Sequence, residues 1–210
     1  MTLSGCGLIN AFIPDQKVVD PLGIDNKQVT LTAGPAPKTQ ALSLTVSSAF
    51  VAAFSDIDTS GFPAGIQPNA VMMDLALKST ATLTSTTGAL PNTIDVTAAT
   101  LSLTLKDGSG APSVTIPATA TGSLLKLTKQ DTSCVAALGC DYDVALASGR
   151  DTLLTVKASG PDFATLWAIA TAGDEPNTVQ GEFSLTLEPS VPQDVQVQVT
   201  ISAPEGTFSF

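Results

Sequence analysis

Histidine is missing from the 210-residue chain altogether, and arginine occurs once, at Arg150. Without histidine there is no Ser-His-Asp or Cys-His nucleophile, and no His-ligated zinc, copper or non-haem iron centre. Charge is sparse: Asp, Glu, Lys and Arg make up 13% of the residues, where an ordinary soluble domain carries about 25%. The surface must therefore be built from Ser, Thr, Asn and Gln, a habit of secreted β proteins. No apolar run approaches the roughly 20 residues of a spanning helix, so the body does not cross a membrane as helices. One Trp and one Tyr are too few for the aromatic girdles of an outer-membrane barrel. The formal net charge of −10 repels phosphate backbones, which excludes nucleic acid as a partner.

What is present is alternation. Leu42, Leu44 and Val46 alternate with Ser43, Thr45 and Ser47. Leu101, Leu103 and Leu105 alternate with Ser102, Thr104 and Lys106, and Val195, Val197, Val199 and Ile201 with Gln196, Gln198 and Thr200. Successive strand side chains point to opposite faces, so each run has one apolar and one polar face. Further strands are expected near 28–33, 71–77, 93–98, 114–119, 123–128, 142–147, 152–158 and 181–187. Turn clusters such as Asp107-Gly108-Ser109-Gly110 and Ser148-Gly149-Arg150-Asp151 separate them. Many short strands with regular turns predict an all-β antiparallel sandwich, Ig-like or jelly-roll-like, over residues 28–210 as one domain. The pentads at 42–46, 101–105 and 183–187 look alike, but their unequal spacing fits convergent strand patterning better than duplication.

One segment breaks the period. Phe163, Leu166, Trp167 and Ala170 fall at i, i+3, i+4 and i+7 behind Pro161 and Asp162, with Gly173 to close the end. This predicts a short helix over 161–172, its Trp packed against the sheets. Residues 48–69, containing Asp56, Asp58, Gly61, Pro63, Gly65 and Pro68, read as a long loop, where function concentrates in a strand-rich chain.

Leu3-Ser4-Gly5-Cys6 resembles the lipobox of bacterial lipoproteins, in which two small residues precede a Cys that takes a diacylglyceryl group. The resemblance implies lipidation at Cys6 and an extracytoplasmic protein anchored to the cell envelope. Because Gly7 rather than an acidic residue follows, it implies the outer membrane in a diderm host. Residues 1–27, with Pro14, Asp15, Gln16, Lys17, Asp20, Pro21 and Gly23, then form the start and a tether. With Cys6 assigned to lipid, Cys134 and Cys140 remain as an even pair, expected to form a disulfide in an oxidising compartment. With no histidine and no fourth thiol the pair cannot complete a zinc site.

Three further motifs carry partial chemistry. Asp56-Ile57-Asp58-Thr59-Ser60-Gly61 resembles the first half of a calcium loop, with Asp56, Asp58 and Ser60 as oxygen donors, but Gln67 stands where a bidentate Glu is required. Asp58-Thr59-Ser60 and Asp131-Thr132-Ser133 echo the paired carboxylates of aspartic proteases. Ser123-Leu124-Leu125-Lys126 matches Ser-x-x-Lys, yet in a strand Ser123 and Lys126 face opposite ways. No catalytic residue is assigned. The sequence leads to a lipid-anchored envelope protein that scaffolds or binds another envelope or surface protein. The alternative is a carbohydrate- or small-ligand-binding module, with calcium through Asp56 and Asp58 as a variant.

Overall fold

A computed structural model describes residues 13–34, 43–108, 112–173, 176–189, 191–203 and 205–210. Its strands are β1 (Gln16–Val19), β2 (Gln28–Ala33), β3 (Leu44–Phe54), β4 (Ala70–Leu77), β5 (Thr80–Thr84), β6 (Thr93–Lys106), β7 (Ser113–Lys129), β8 (Cys140–Leu146), β9 (Leu154–Ser159), β10 (Asn177–Glu188), β11 (Gln196–Ser202) and β12 (Glu205–Ser209). An α-helix, α1 (Gly160–Ala170), follows β9 directly.

The sandwich expectation holds in class and is corrected in architecture. The described residues are mostly β with one α-helix, and eight strands close into an antiparallel barrel. The ring runs β11-β2-β3-β10-β6-β7-β8-β5 and returns to β11. Closure is made at Val197, which pairs with Leu31 on one side and Leu83 on the other. All three are fully buried. Period-2 alternation specifies which face of a strand is apolar and says nothing about which strands pair, so sandwich and barrel look the same in sequence. Closure removes the exposed edges that an open sheet would present.

β4, β9, β12 and β1 form a second antiparallel sheet in the order β1-β12-β4-β9. Two corners join the sheets. β4 passes into β5 through Lys78-Ser79, and β12 follows β11 in the chain. The long strands β3, β10, β6 and β7 therefore run through one continuous hydrophobic core. One half of each lines the barrel, where Ile94, Val96, Leu127, Leu185 and Leu187 are buried. Beyond the barrel, α1 and β9 pack on β6 and β7. There Val71, Met73, Val156 and Phe208 meet Ile116 of β7 and Leu166 of α1 around one small apolar void.

Several expected elements change extent. Residues 93–98 and 101–105 are a single strand, as are 114–119 and 123–128. The break that divided them in sequence is a β-bulge where Gly122-Ser123-Leu124 face Thr97 alone, with Gly122 at φ +96°. Residues 48–54, expected in a loop, complete β3. The expected tether is partly structural. β1 pairs with β12, Lys17 Nζ lies 2.6 Å from Glu205 Oε2, and Leu22 and Ile24 are buried. Asp20 Oδ1 accepts from the amides of Ile24 and Asp25 at 2.9 and 3.0 Å. The fold therefore begins before residue 28. α1 spans 160–170, two residues shorter at its end than expected, with Pro161 in its first turn. Trp167 is half-buried, its ring stacked on Phe62 at 5.6 Å and tilted against Phe208 at 5.9 Å.

Candidate ligand-binding face

The three look-alike pentads lie in adjacent strands, β3, β10 and β6. In β6 and β10 the pentads bury Leu101, Leu103 and Leu105 and Phe183, Leu185 and Leu187, β3 buries Val46 of its own, and the Ser and Thr of all three strands turn outward. Cross-strand register then aligns the hydroxyls. One row runs Thr32–Ser47–Ser184–Thr100–Thr119 across β2, β3, β10, β6 and β7. Rows on either side add Thr45–Thr186 and Thr104–Thr115. Neighbouring hydroxyls bond to one another: Thr100 to Ser184 at 2.6 Å, Thr104 to Thr115 at 2.9 Å and Thr45 to Thr186 at 3.1 Å. Strands stand about 4.8 Å apart and alternate residues about 6.7 Å apart along a strand, which makes a two-dimensional grid of hydroxyls.

This face is concave. A trough of about 650 Å³ crosses it, lined by Thr30, Thr32, Ser47, Thr100, Thr119 and Ser184 among others. Its one charged lining residue is Glu182. The cross-strand neighbours of Glu182 are Ala49 and Ser102, and Ser102 in turn faces Pro117. Small side chains thus surround the carboxylate, which makes no hydrogen bond or ion pair among the described residues. Pro117 is tolerated here because β8 pairs only with residues 125–129 of β7, leaving this stretch with β6 as its ladder partner. Sequence reasoning did not single out Glu182. The signal was present, since between Thr178 and Thr186 it is the one charge at an outward position of β10.

The sequence-predicted residues lie elsewhere. Cys134 and Cys140 form the expected disulfide, with S–S 2.05 Å and Cα–Cα 5.6 Å. Cys6 lies outside the described residues. Asp56, Asp58 and Ser60 follow β3, but their oxygens are turned to other uses. Asp56 accepts from the Gly173 amide at 2.6 Å and from Asn177 Nδ2 at 3.0 Å, fastening the end of α1 to the start of β10. Asp58 accepts from the Ser60 amide at 2.9 Å, a contact that holds its carboxyl below the usual range. Among the described residues no three His, Cys, Asp or Glu side chains group as metal ligands. Asp131 closes its own turn on the Ser133 hydroxyl and amide, at 2.7 and 2.8 Å. It stands in the β7–β8 loop while Asp58 stands in the β3–β4 loop. The bulge in β7 buries Leu124 and Leu125 together, so Ser123 and Lys126 are both exposed rather than on opposite faces.

Two polar clusters at the barrel's other end are structural. Asp194 receives Ser85 Oγ (2.6 Å), Thr86 Oγ1 (2.7 Å), Thr87 Oγ1 (2.5 Å) and the amides of Thr86 and Thr87 (2.6 and 3.1 Å). The three hydroxyls, foremost Ser85, hold its carboxyl far below the ordinary carboxylate range. Tyr142, fully buried, donates to the Pro91 carbonyl at 2.5 Å, and burial pushes its phenol up to about 12.

No protein-family model, curated protein or solved structure matches this chain.

Proposed function

We propose that this protein is a non-catalytic, extracytoplasmic binding module, held at the cell envelope by lipid on Cys6, and that it binds carbohydrate along the trough. The observation that carries the reading is the five-hydroxyl row Thr32–Ser47–Ser184–Thr100–Thr119 lying in a concavity. Hydroxyls both donate and accept, which matches the mixed donor and acceptor pattern of a sugar ring. The trough's volume falls within the roughly 300–1,000 Å³ of ligand sites. The disulfide and the uncharged polar surface fit an exported protein.

Titration calorimetry against a panel of neutral and charged oligosaccharides tests it, with Thr100→Val and Ser184→Ala as trough variants. Binding that these variants weaken at unchanged melting temperature supports the reading. A full panel without heat, or binding indifferent to both variants, removes it.

A second reading, a scaffold for another envelope protein, has its own observation. The disulfide-tied loop before β8 presents Val135 at 57% and Leu138 at 86% exposure. Apolar side chains held this openly on a rigid loop suit burial in a partner. Crosslinking from Leu138 in intact envelopes, compared with a Leu138→Ser chain, separates the two readings.

A further inference from the structure

We infer that Glu182 is the ionic anchor for an amino sugar, so that the ligand class of the trough is a cationic glycan. This rests on the carbohydrate reading above and adds the chemistry of the recognised group. Glu182 stands mid-strand, where β10 is flanked by β3 and β6, and it lies one row from Ser47, Ser184 and Thr100. Its flanking positions, Ala49 and Ser102, are too short to cover it and carry no cation. A carboxylate in a sheet ordinarily finds a cross-strand Lys or Arg, and here the cross-strand places are small. On β6 the outward cation is Lys106, four residues beyond Ser102, roughly 13 Å along the strand. On the β3 side Lys27 donates to the Val51 carbonyl at 2.8 Å and pairs with no carboxylate, so Glu182 has no direct ionic partner among the described residues.

A ligand that satisfies this arrangement brings its own positive charge and several hydroxyls within one sugar ring of each other. A protonated 2-amino sugar does so. Its ammonium meets Glu182 in a charge-assisted hydrogen bond, about twice as strong as a neutral one. Its ring hydroxyls reach the adjacent Ser184–Thr100 row, about 6.7 Å away. Uronic acids and phosphate-bearing polymers are disfavoured at the carboxylate, and by the chain's net charge of −10. N-acetylated sugars keep the hydroxyls and lose the cation.

The test compares glucosamine tetramer with N-acetylglucosamine tetramer on the full chain by titration calorimetry, at low and at physiological salt. Tetralysine serves as a non-sugar polycation. Wild type should bind the deacetylated tetramer about tenfold more tightly than the acetylated one, the equivalent of one charge-assisted bond. Glu182→Gln should abolish that preference, and Glu188→Gln, a second exposed carboxylate on β10, should leave it intact. Equal affinity for both tetramers, with binding still weakened by Ser184→Ala, overturns the anchor and leaves the trough reading standing. Tetralysine binding as tightly as the glucosamine tetramer overturns the amino-sugar assignment. If neither sugar binds, the trough reading and the anchor fall together.

Discussion

The ring of Phe50 in β3 lies over the backbone of Gly181 in β10, its direct cross-strand partner on the core face. A Cβ at 181 would stand 2.6 Å from Phe50 Cε2 and closer still to two other ring atoms. Glycine here lets one aromatic fill the space of two side chains in the core beneath β3 and β10. Glu182 follows in the next position, so the ring also sets the local path of the trough floor. Gly181→Ala should destabilise the fold by about 1–3 kcal/mol, the usual cost of overpacking a well-filled core. Adding Phe50→Leu should recover part of that loss. Urea denaturation of the single and double variants checks this, and strictly additive losses would show that the two positions do not compete for the same space.

Asp194 should govern the acid limb of stability. Its folded carboxyl titrates well below the unfolded value of about 4, so the stabilisation is present above that value and is lost as pH falls through the folded one. Asp194→Asn should therefore be less stable at pH 7, and the gap to wild type should narrow steadily below about pH 4. Thermal melts from pH 7 to pH 2.5 measure the gap. A constant difference would mean that the five contacts to Ser85, Thr86 and Thr87 contribute through shape and not through charge.

How much of this was legible beforehand follows from what alternation encodes. The strands carrying Leu101, Leu103 and Leu105, or Val197 and Val199, show their buried faces in the sequence because burial of alternate residues is local. The ring is not local. It depends on Val197 reaching both Leu31 and Leu83, and no pattern within β11 records that. β1 and β5 escaped notice for a different reason, since Gln16–Val19 and Thr80–Thr84 are too short to establish a period. β7 read as two strands because Gly122 interrupts the pattern that the bulge in fact carries through. At the site, the three hydroxyl-bearing pentads were visible, while their adjacency, and with it the importance of Glu182, is a property of register. Asp56 shows the converse. Its spacing from Asp58 fits a metal loop, but its carboxylate is held by Gly173 and Asn177 from the far end of α1.

The disulfide should be worth about 2 kcal/mol on the chain-entropy model, because Cys134 and Cys140 close a loop of few residues. In a domain of this size that corresponds to roughly 4–8 °C in melting temperature. Cys134→Ser/Cys140→Ser should melt lower by that amount and retain the far-ultraviolet spectrum of a β protein. A much larger fall would mean that Cys140, fully buried beside Tyr142 in β8, contributes through packing as well.

Tyr142 should limit the alkaline side. It is the chain's one tyrosine, so its phenol can be titrated by absorbance with no other phenol in the signal. Folded, it ionises near 12 because burial penalises the phenolate; unfolded, it ionises near 10. The stabilisation is therefore fully present below about pH 10 and is lost as pH rises toward 12. Tyr142→Phe forfeits the bond to the Pro91 carbonyl and should cost about 1 kcal/mol at neutral pH. Above pH 10 the variant has no phenol to ionise, so its disadvantage should shrink and then disappear. Chemical denaturation at pH 7, 9, 10 and 11 tests this. A disadvantage that stays level across that range would mean the phenol reaches solvent without unfolding, and that the barrel end around Pro91 opens locally.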